Sequence, residues 1–253
     1  FVDEDLIEMA PNYDGELQEP KNFLPIVPIC LLNGIKGIAV GFATEIQPYK
    51  LNDLINLQKK VIKNGVLDNV QTPLPYFKGF KGTIDYNLER KMVSRGIYKL
   101  TGNEIHITEL PIGFNREKYI TVLDNLIDKG IIRDYEELKG DFNYKVQLKR
   151  GQNLNDDEII KHFKLESILS QNLVLIDTEG KLEKYENVKE IIEEFTKWRF
   201  GFYKKRYVTF KDNLVIDNDY QIEMKKFIMF VLQNNYLNVM SKKSKIDIKK
   251  ELT

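Results

Sequence analysis

Apolar positions fall into three regimes along this chain of 253 residues. Through residues 1–50 they keep neither a helical nor a strand period. Prolines at 11, 20, 25, 28 and 48 fix φ and remove backbone donors there. This stretch reads as extended segments and loops, with Pro25 and Pro28 arguing against a helix around them. At 51, 54, 55, 57, 61 and 62 apolar side chains return at helical spacing, and Gly65 supplies a stop, which predicts a helix over 51–64. From Thr72 the pattern turns β-rich. Residues 75–82 form a turn-rich entry, and 97–100 with 104–110 alternate around Thr101-Gly102-Asn103 as a hairpin, in which Ile105, Ile107 and Leu110 point one way or end the strand and His106 falls on the opposite face. Residues 131–135 and 144–148 predict two more strands, and 173–176 with 181–185 predict a second hairpin about Thr178-Glu179-Gly180. Asn115 caps a predicted helix reaching about Lys129, with Tyr119, Val122, Leu123 and Leu126 inward. Asn155 and Glu158 have capping-box spacing and open a short helix over 158–165. Such alternation predicts an α+β fold with a mixed or antiparallel sheet.

The third regime starts at Asn187, which with Glu190 makes another capping arrangement. Over 188–242 there is no proline and Gly201 is the single glycine, while Ile191, Ile192, Phe195, Trp198, Phe202 and later Ile222, Phe227, Ile228, Val231 and Leu232 keep roughly helical spacing. One unbroken helix of that length reaches on the order of 80 Å. The β-branched, Asp/Asn-rich run 212–219 is where it would divide in two. These shifts set expected domains at 1–50, 51–187 and 188–253.

Hydrophobic residues are 42% of the chain and charged residues 30%, enough for a core and unlike a disordered composition. The net charge of zero hides an uneven distribution. Residues 1–20 carry seven acids and no base, 21–63 carry six lysines against Glu45 and Asp53, and 197–211 carry six Lys and Arg with no acid. Such faces suit phosphate, or are ordinary solvated surface. Cys30 is the single cysteine, so no intrachain disulfide forms and a reducing compartment fits. There is no continuous apolar run of membrane-spanning length and no signal peptide, so no membrane partner is expected. No glycine-rich nucleotide loop leads into Lys-Ser/Thr, so ATP binding is not expected in this chain. With two histidines and no nearby Cys or Asp cluster, a metal site is not expected either. The chain starts at Phe1 inside what reads as an ordered region and stops at Thr253 in a helical pattern, which suggests a piece of a longer protein.

The densest signal is the run 33–44, Asn-Gly-Ile-Lys-Gly-Ile-Ala-Val-Gly-Phe-Ala-Thr. Glycines at 34, 37 and 41 permit tight turns and close approach. Between Gly37 and Gly41, Ile38 is either the buried residue of a hairpin or an apolar wedge of the kind that DNA-bending proteins push between base steps. Were the wedge reading right, Lys36, Lys50, Lys78 and Lys81 could offset the cost of bending through phosphate contacts.

Together with Ala10-Pro11-Asn12-Tyr13-Asp14-Gly15, Glu19-Pro20, Leu24-Pro25, Pro28 and Leu31-Leu32-Asn33-Gly34, this run resembles the breakage–rejoining subunit of type IIA DNA topoisomerases, that is, the A-subunit of gyrase and, closer still, the medium subunit of bacteriophage topoisomerases. The resemblance implies a tower-like domain followed by long helices that begin a coiled-coil arm, with Ile38 intercalating and kinking the duplex that is cut. On it, Asn33, Lys36, Gly37, Ile38, Thr44, Lys50, Lys78 and Lys81 are the expected DNA-binding residues. Gln47-Pro48-Tyr49-Lys50 departs from the family's Pro-Pro-His-Asn, so an asparagine cap is lost and Lys50 stands where it can reach phosphate. The family's nucleophilic tyrosine lies upstream of the Asn-Tyr-Asp-Gly segment, so no catalytic residue is expected among the 13 tyrosines here; Arg206-Tyr207 repeats the Arg-Tyr pair only superficially. Mg2+ and ATP are implied for a partner, an ATPase and metal-binding large subunit. The other implied partners are double-stranded DNA and a second copy in a homodimer. Action in the cytoplasm, a host's if the source is a phage, follows from the same likeness. A non-enzymatic architectural DNA-bending protein and a purely structural scaffold are the alternatives.

Overall fold

Capping and periodicity place most of the helices where the sequence predicts them. The computed structural model describes residues 3–177 and 180–233. The chain divides into one unit over Pro25–Thr196 and a second built from the segments on either side of it.

In the second unit, strands β1 (Met9–Pro11) and β2 (Gln18–Pro20) form an antiparallel ribbon. Its turn is closed by Asn12, whose side-chain oxygen accepts from the Leu17 N–H at 3.3 Å.

The larger unit opens with helix α1 (Ile29–Asn33), which the proline content had argued against. Pro28 does not interrupt this helix because it sits at the N-cap, where φ of −66° suits it and its carbonyl accepts from Leu31 and Leu32 at 3.1 Å. Strands β3 (Ile35–Ile38) and β4 (Ala43–Ile46) then pair as a hairpin, followed by α2 (Leu51–Asn64), which ends on Gly65 at φ +85°. Strands β5 (Thr83–Tyr86) and β6 (Met92–Arg95) were not anticipated individually. Next come β7 (Ile97–Thr101), β8 (Glu104–Glu109), α3 (Arg116–Asp128), β9 (Ile132–Glu137) and β10 (Tyr144–Leu148). The Asn155–Glu158 capping box is present in full, yet α4 (Asp156–His162) starts and ends earlier than expected, because Asn155 is itself the cap. Strand β11 (Glu166–Ile168) follows, then β12 (Val174–Ile176) and β13 (Leu182–Lys184). Of the turn between these last two, Thr178 and Glu179 lie outside the described residues.

Every ladder among the described residues is antiparallel. The largest sheet has the order β7-β8-β10-β9, and a three-stranded sheet has the order β11-β6-β5. One face of the larger sheet carries Ile105, Ile107, Tyr144, Val146 and Leu148 against Tyr119, Leu123 and Leu126 of α3 and Ile159 of α4. His106 faces the other way and hydrogen-bonds Asn143 at 2.7 Å. A separate apolar cluster joins Leu31 of α1, Ile46 at the end of β4, Tyr49, Leu54, Leu57 and Val61 of α2, and Leu173.

Helix α5 (Val188–Gln233) contributes Val188, Ile191 and Ile192 to that second cluster. Asn187 accepts from the N–H groups of Lys189 and Glu190 at 3.0 and 3.2 Å, and Glu190 accepts from the Glu186 N–H at 3.0 Å, so the start is capped as expected. All 46 residues are one helix, about 70 Å long. The break considered at 212–219 is absent, since Asp, Asn and β-branched residues each cost only tenths of a kcal/mol in a helix; the expected continuation to 242 lies outside the described residues.

The basic run on α5 is partly consumed internally. Arg199, 3% exposed, donates to Asp3 at 2.7 Å, and Arg206 donates to the same carboxylate. Both guanidiniums flank the Tyr203 ring, at 4.6 and 4.8 Å from its centroid. Lys204 and Lys205 lie over Phe200 and Phe202, so these rings carry cations of their own helix. Arg206 above all, with Arg199 adding to it, holds the Asp3 carboxyl below its ordinary value against the opposing effect of burial. The native state therefore takes up this proton less readily than the unfolded chain. The stabilisation is complete above the ordinary carboxylate value and is lost as pH falls toward the lowered native one. Asp3→Asn is expected to cost about 3 kcal/mol at neutral pH. Chemical denaturation should show this deficit shrinking as pH falls below the ordinary carboxylate range, because the wild-type carboxyl then takes up its own proton.

Candidate nucleic-acid interface

The β3–β4 hairpin has its root in the core and its tip in solvent. Ile46 at the root is buried and pairs with Ile35, while the last rung joins Ile38 to Ala43. A single backbone bond beyond it, Ala39 N–H to the Phe42 carbonyl at 2.8 Å, closes the turn. Two glycines are required by the geometry. Gly34 takes φ +72° where a Cβ would stand 2.8 Å from the Ile46 carbonyl oxygen, and Gly41 takes φ +84° in the turn. Gly37 is different: it lies in β3 opposite Thr44 with ordinary strand geometry.

Of the two readings of Ile38, the buried one does not hold. Its side chain is 86% exposed, with Val40 fully exposed and Phe42 more than half exposed beside it. Ile38, Phe42 and Thr44 share a shallow apolar groove of about 400 Å³ with Val174, Ile176 and Leu182 of the β12–β13 hairpin. Lys36 is exposed but pairs across the hairpin with Glu45 at 3.0 Å. That ammonium, with the Ser170 hydroxyl bonded at 2.9 Å, keeps the Glu45 carboxyl below the usual range.

Asn33, Lys50 and Lys78 come together elsewhere, on an open cleft of about 760 Å³ that also includes Asn52, Tyr76 and Phe77. Lys50 is the N-cap of α2 and, as the sequence implies, makes no side-chain capping bond. Its ammonium instead lies 5.7 Å from the centre of the Tyr76 ring. Beneath the cleft Tyr49 is buried, its hydroxyl accepting from Gln171, and burial pushes its pKa up to about 12. Lys81 is exposed and joins neither group; its backbone N–H donates to the buried Glu109 at 3.1 Å.

Sequence reasoning missed the supports. Asn172, Ser170 and Gln171 hold the hairpin and Tyr49 from more than 120 positions away in the chain, a separation that leaves no local pattern to read. Among the described residues, no group of three His, Cys, Asp or Glu side chains is placed to hold a metal ion. No described helix is long and apolar enough to cross a membrane.

The DNA topoisomerase medium subunit of Enterobacteria phage T4 is 35% identical over 210 residues, which cover 79% of this chain and 46% of that protein. The mitochondrial DNA topoisomerase 2 of Dictyostelium discoideum is 34% identical over 249 residues, 94% of this chain and 19% of that one. The chain thus spans less than half the length of these relatives. A crystal structure of the DNA-binding, cleavage and re-ligation domain of Plasmodium falciparum topoisomerase II matches with a TM-score of 0.87 at 28% identity, covering 99% of this chain and 35% of that one. The model of the family described as the A-subunit of DNA gyrase/topoisomerase IV matches residues 1–252. With the match running almost from end to end, this chain belongs to the DNA gyrase/topoisomerase IV A-subunit family.

Proposed function

We propose that this chain grips and bends duplex DNA within the cleavage core of an ATP-dependent type II DNA topoisomerase, an enzyme that passes one duplex through a transient double-strand break in another. The observation that carries the reading is an isoleucine held almost wholly in water at the end of a hairpin whose root is buried. Leaving Ile38 in water forgoes about 1.5–3 kcal/mol of burial, which folding alone does not repay. Inserted between base steps, the same side chain recovers that burial and offsets an unstacking cost of a few kcal/mol per step.

Lys50 and Lys78 on one cleft, Lys81, and Lys36 on the hairpin itself supply cations for the flanking phosphates. The Lys36–Glu45 pair is exposed and so worth under about 1 kcal/mol, weak enough to be exchanged for a phosphate. Asn33, Gly37 and Thr44 serve by shaping the surfaces that carry these groups. A homodimer would place two such wedges on one duplex. ATP hydrolysis and Mg2+ chemistry are assigned to a partner large subunit, as the family resemblance implies. Activity in the cytoplasm, of a host cell for a phage-borne enzyme, belongs to the same proposal.

The nucleophile is assigned outside this chain. Burial raises the pKa of Tyr49, Tyr98 and Tyr135 to about 12 and pushes Tyr119, Tyr144 and Tyr185 up as well, the opposite of what an attacking phenolate needs. Tyr207 follows Arg206, but that arginine is engaged by Asp3.

Three outcomes are expected. Ile38→Ala should lower the bend of an end-labelled duplex measured by fluorescence transfer, and should abolish cleavage in the complete enzyme; an unchanged bend would remove the wedge. Replacing Lys50 and Lys78 together by Ala should flatten the plot of log affinity against log salt by about 0.9 for each phosphate no longer neutralised. Incubated with duplex and Mg2+, the 253-residue chain should yield no tyrosine–DNA adduct on denaturing gels.

A further inference from the structure

We infer that Asn172 sets the pitch of the β3–β4 hairpin and thereby aims Ile38, a positioning role that rests on the DNA-bending reading above. A two-stranded ribbon is marginal by itself in water. For a wedge this matters twice, because the ribbon must keep its direction while stacked bases push back on its end.

Asn172 lies between β11 and β12 and meets the hairpin along β4. Its backbone exchanges both hydrogen bonds with Glu45, donating at 2.8 Å and accepting at 2.9 Å. Its carbonyl also accepts from the Thr44 hydroxyl at 3.3 Å, and its side-chain amide donates to the Ala43 carbonyl. Residues 43, 44 and 45 are thus all held by one residue, and Ala43 is the cross-strand partner of Ile38. Ser170 Oγ bonds Glu45 at 2.9 Å and Gln47 donates to the Ser170 carbonyl at 2.8 Å, so the same short segment holds the lower half of β4 as well. The highest tie in this set, on the rung of the wedge itself, is the Asn172 amide.

The chemistry of that tie is specific. The backbone bridge to Glu45 survives any substitution at 172 except proline, because it needs only the backbone N–H and carbonyl. The bond to the Ala43 carbonyl needs a donor at the end of a two-carbon reach. Aspartate keeps the shape and replaces that donor with a carboxylate oxygen facing a carbonyl. Asn172→Ala and Asn172→Asp therefore loosen the upper part of the hairpin while leaving its root at Ile46 untouched. Thr44→Val removes a second tie to the same residue and is the milder variant.

The test uses the 253-residue chain and an end-labelled duplex, with Ile38→Ala measured alongside. The bend is read at saturating protein, with affinity, melting temperature and hydrogen exchange of residues 35–46 recorded for each variant. For both Asn172 variants we expect about half of the bend or more to be lost and exchange near the tip to be faster. Affinity should stay within about threefold, because phosphate contacts carry it, and Thr44→Val should fall between wild type and these variants. An unchanged bend in Asn172→Ala, with a reduced bend in Ile38→Ala, would overturn the positioning role and leave the wedge standing. No change in Ile38→Ala would overturn both. Bend, affinity and melting temperature falling together in all three hairpin-support variants would mark Asn172 as ordinary structural support and overturn the proposal as well.

Discussion

A side chain can unstack base pairs only if the backbone behind it yields less readily than the duplex in front. On the DNA-bending reading proposed above, that requirement falls on the unit over Pro25–Thr196. The hairpin that ends in Ile38 is rooted by Ile46 in a cluster shared with α1, α2 and the first turns of α5, so its base moves only if that whole cluster moves. Interiors packed at crystal-like density resist such displacement. The four-stranded sheet with α3 and α4 forms its own apolar cluster and, among the described residues, contributes none to this one.

Charge follows a related logic. A net charge of zero is a poor overall endowment for holding a polyanion, as the proposed function requires. Several of the cations are nonetheless already committed: Arg199 and Arg206 to Asp3, Arg95 to Glu166, and Arg116 to Glu137. These pairs remove acidic and basic groups together, so what is left on the surface is set by position and not by the total. On the cleft beside α2, Lys50 and Lys78 stand among Asn33, Asn52 and Tyr76 with no carboxylate in the lining. A local excess of this kind is what a phosphate senses within a Debye length of about 8–10 Å.

Much of this was legible in the sequence, for identifiable reasons. Asn115, Asn155 and Asn187 announce helices because a short polar side chain can satisfy the first free N–H groups, a rule that needs only local spacing. The hairpin about Gly102 is visible because its turn demands a positive φ, here +62°. The β5–β6 hairpin escaped because its turn carries no glycine. Arg90 holds φ +59° with the help of Asn87, whose side chain accepts from the N–H groups of Glu89 and Lys91. Strand β11 is three residues long and exists because β6 is there to pair with it. The exposure of Ile38 could not be read from periodicity, which treats an isoleucine in a strand as inward by default. The ties from 170–172 to the hairpin depend on tertiary contact alone. Gly37 was read as flexible for its residue type, whereas the structure uses it as an ordinary strand position.

The same bareness that exposes Ile38 extends over the turn beyond it. A Cβ added at Gly41 would meet nothing within 4 Å, and Val40 touches little but water. Gly41 is fixed by its φ of +84°, but folding exerts little selection on the side chain at the fully exposed Val40. On the DNA-bending reading proposed above, variation there is free to follow the duplex, and a stable frame can be paired with many different noses. On that reading, preference for one base step over another can drift or be engineered at the exposed residues 38–40 and 42, with Gly41 kept for its positive φ.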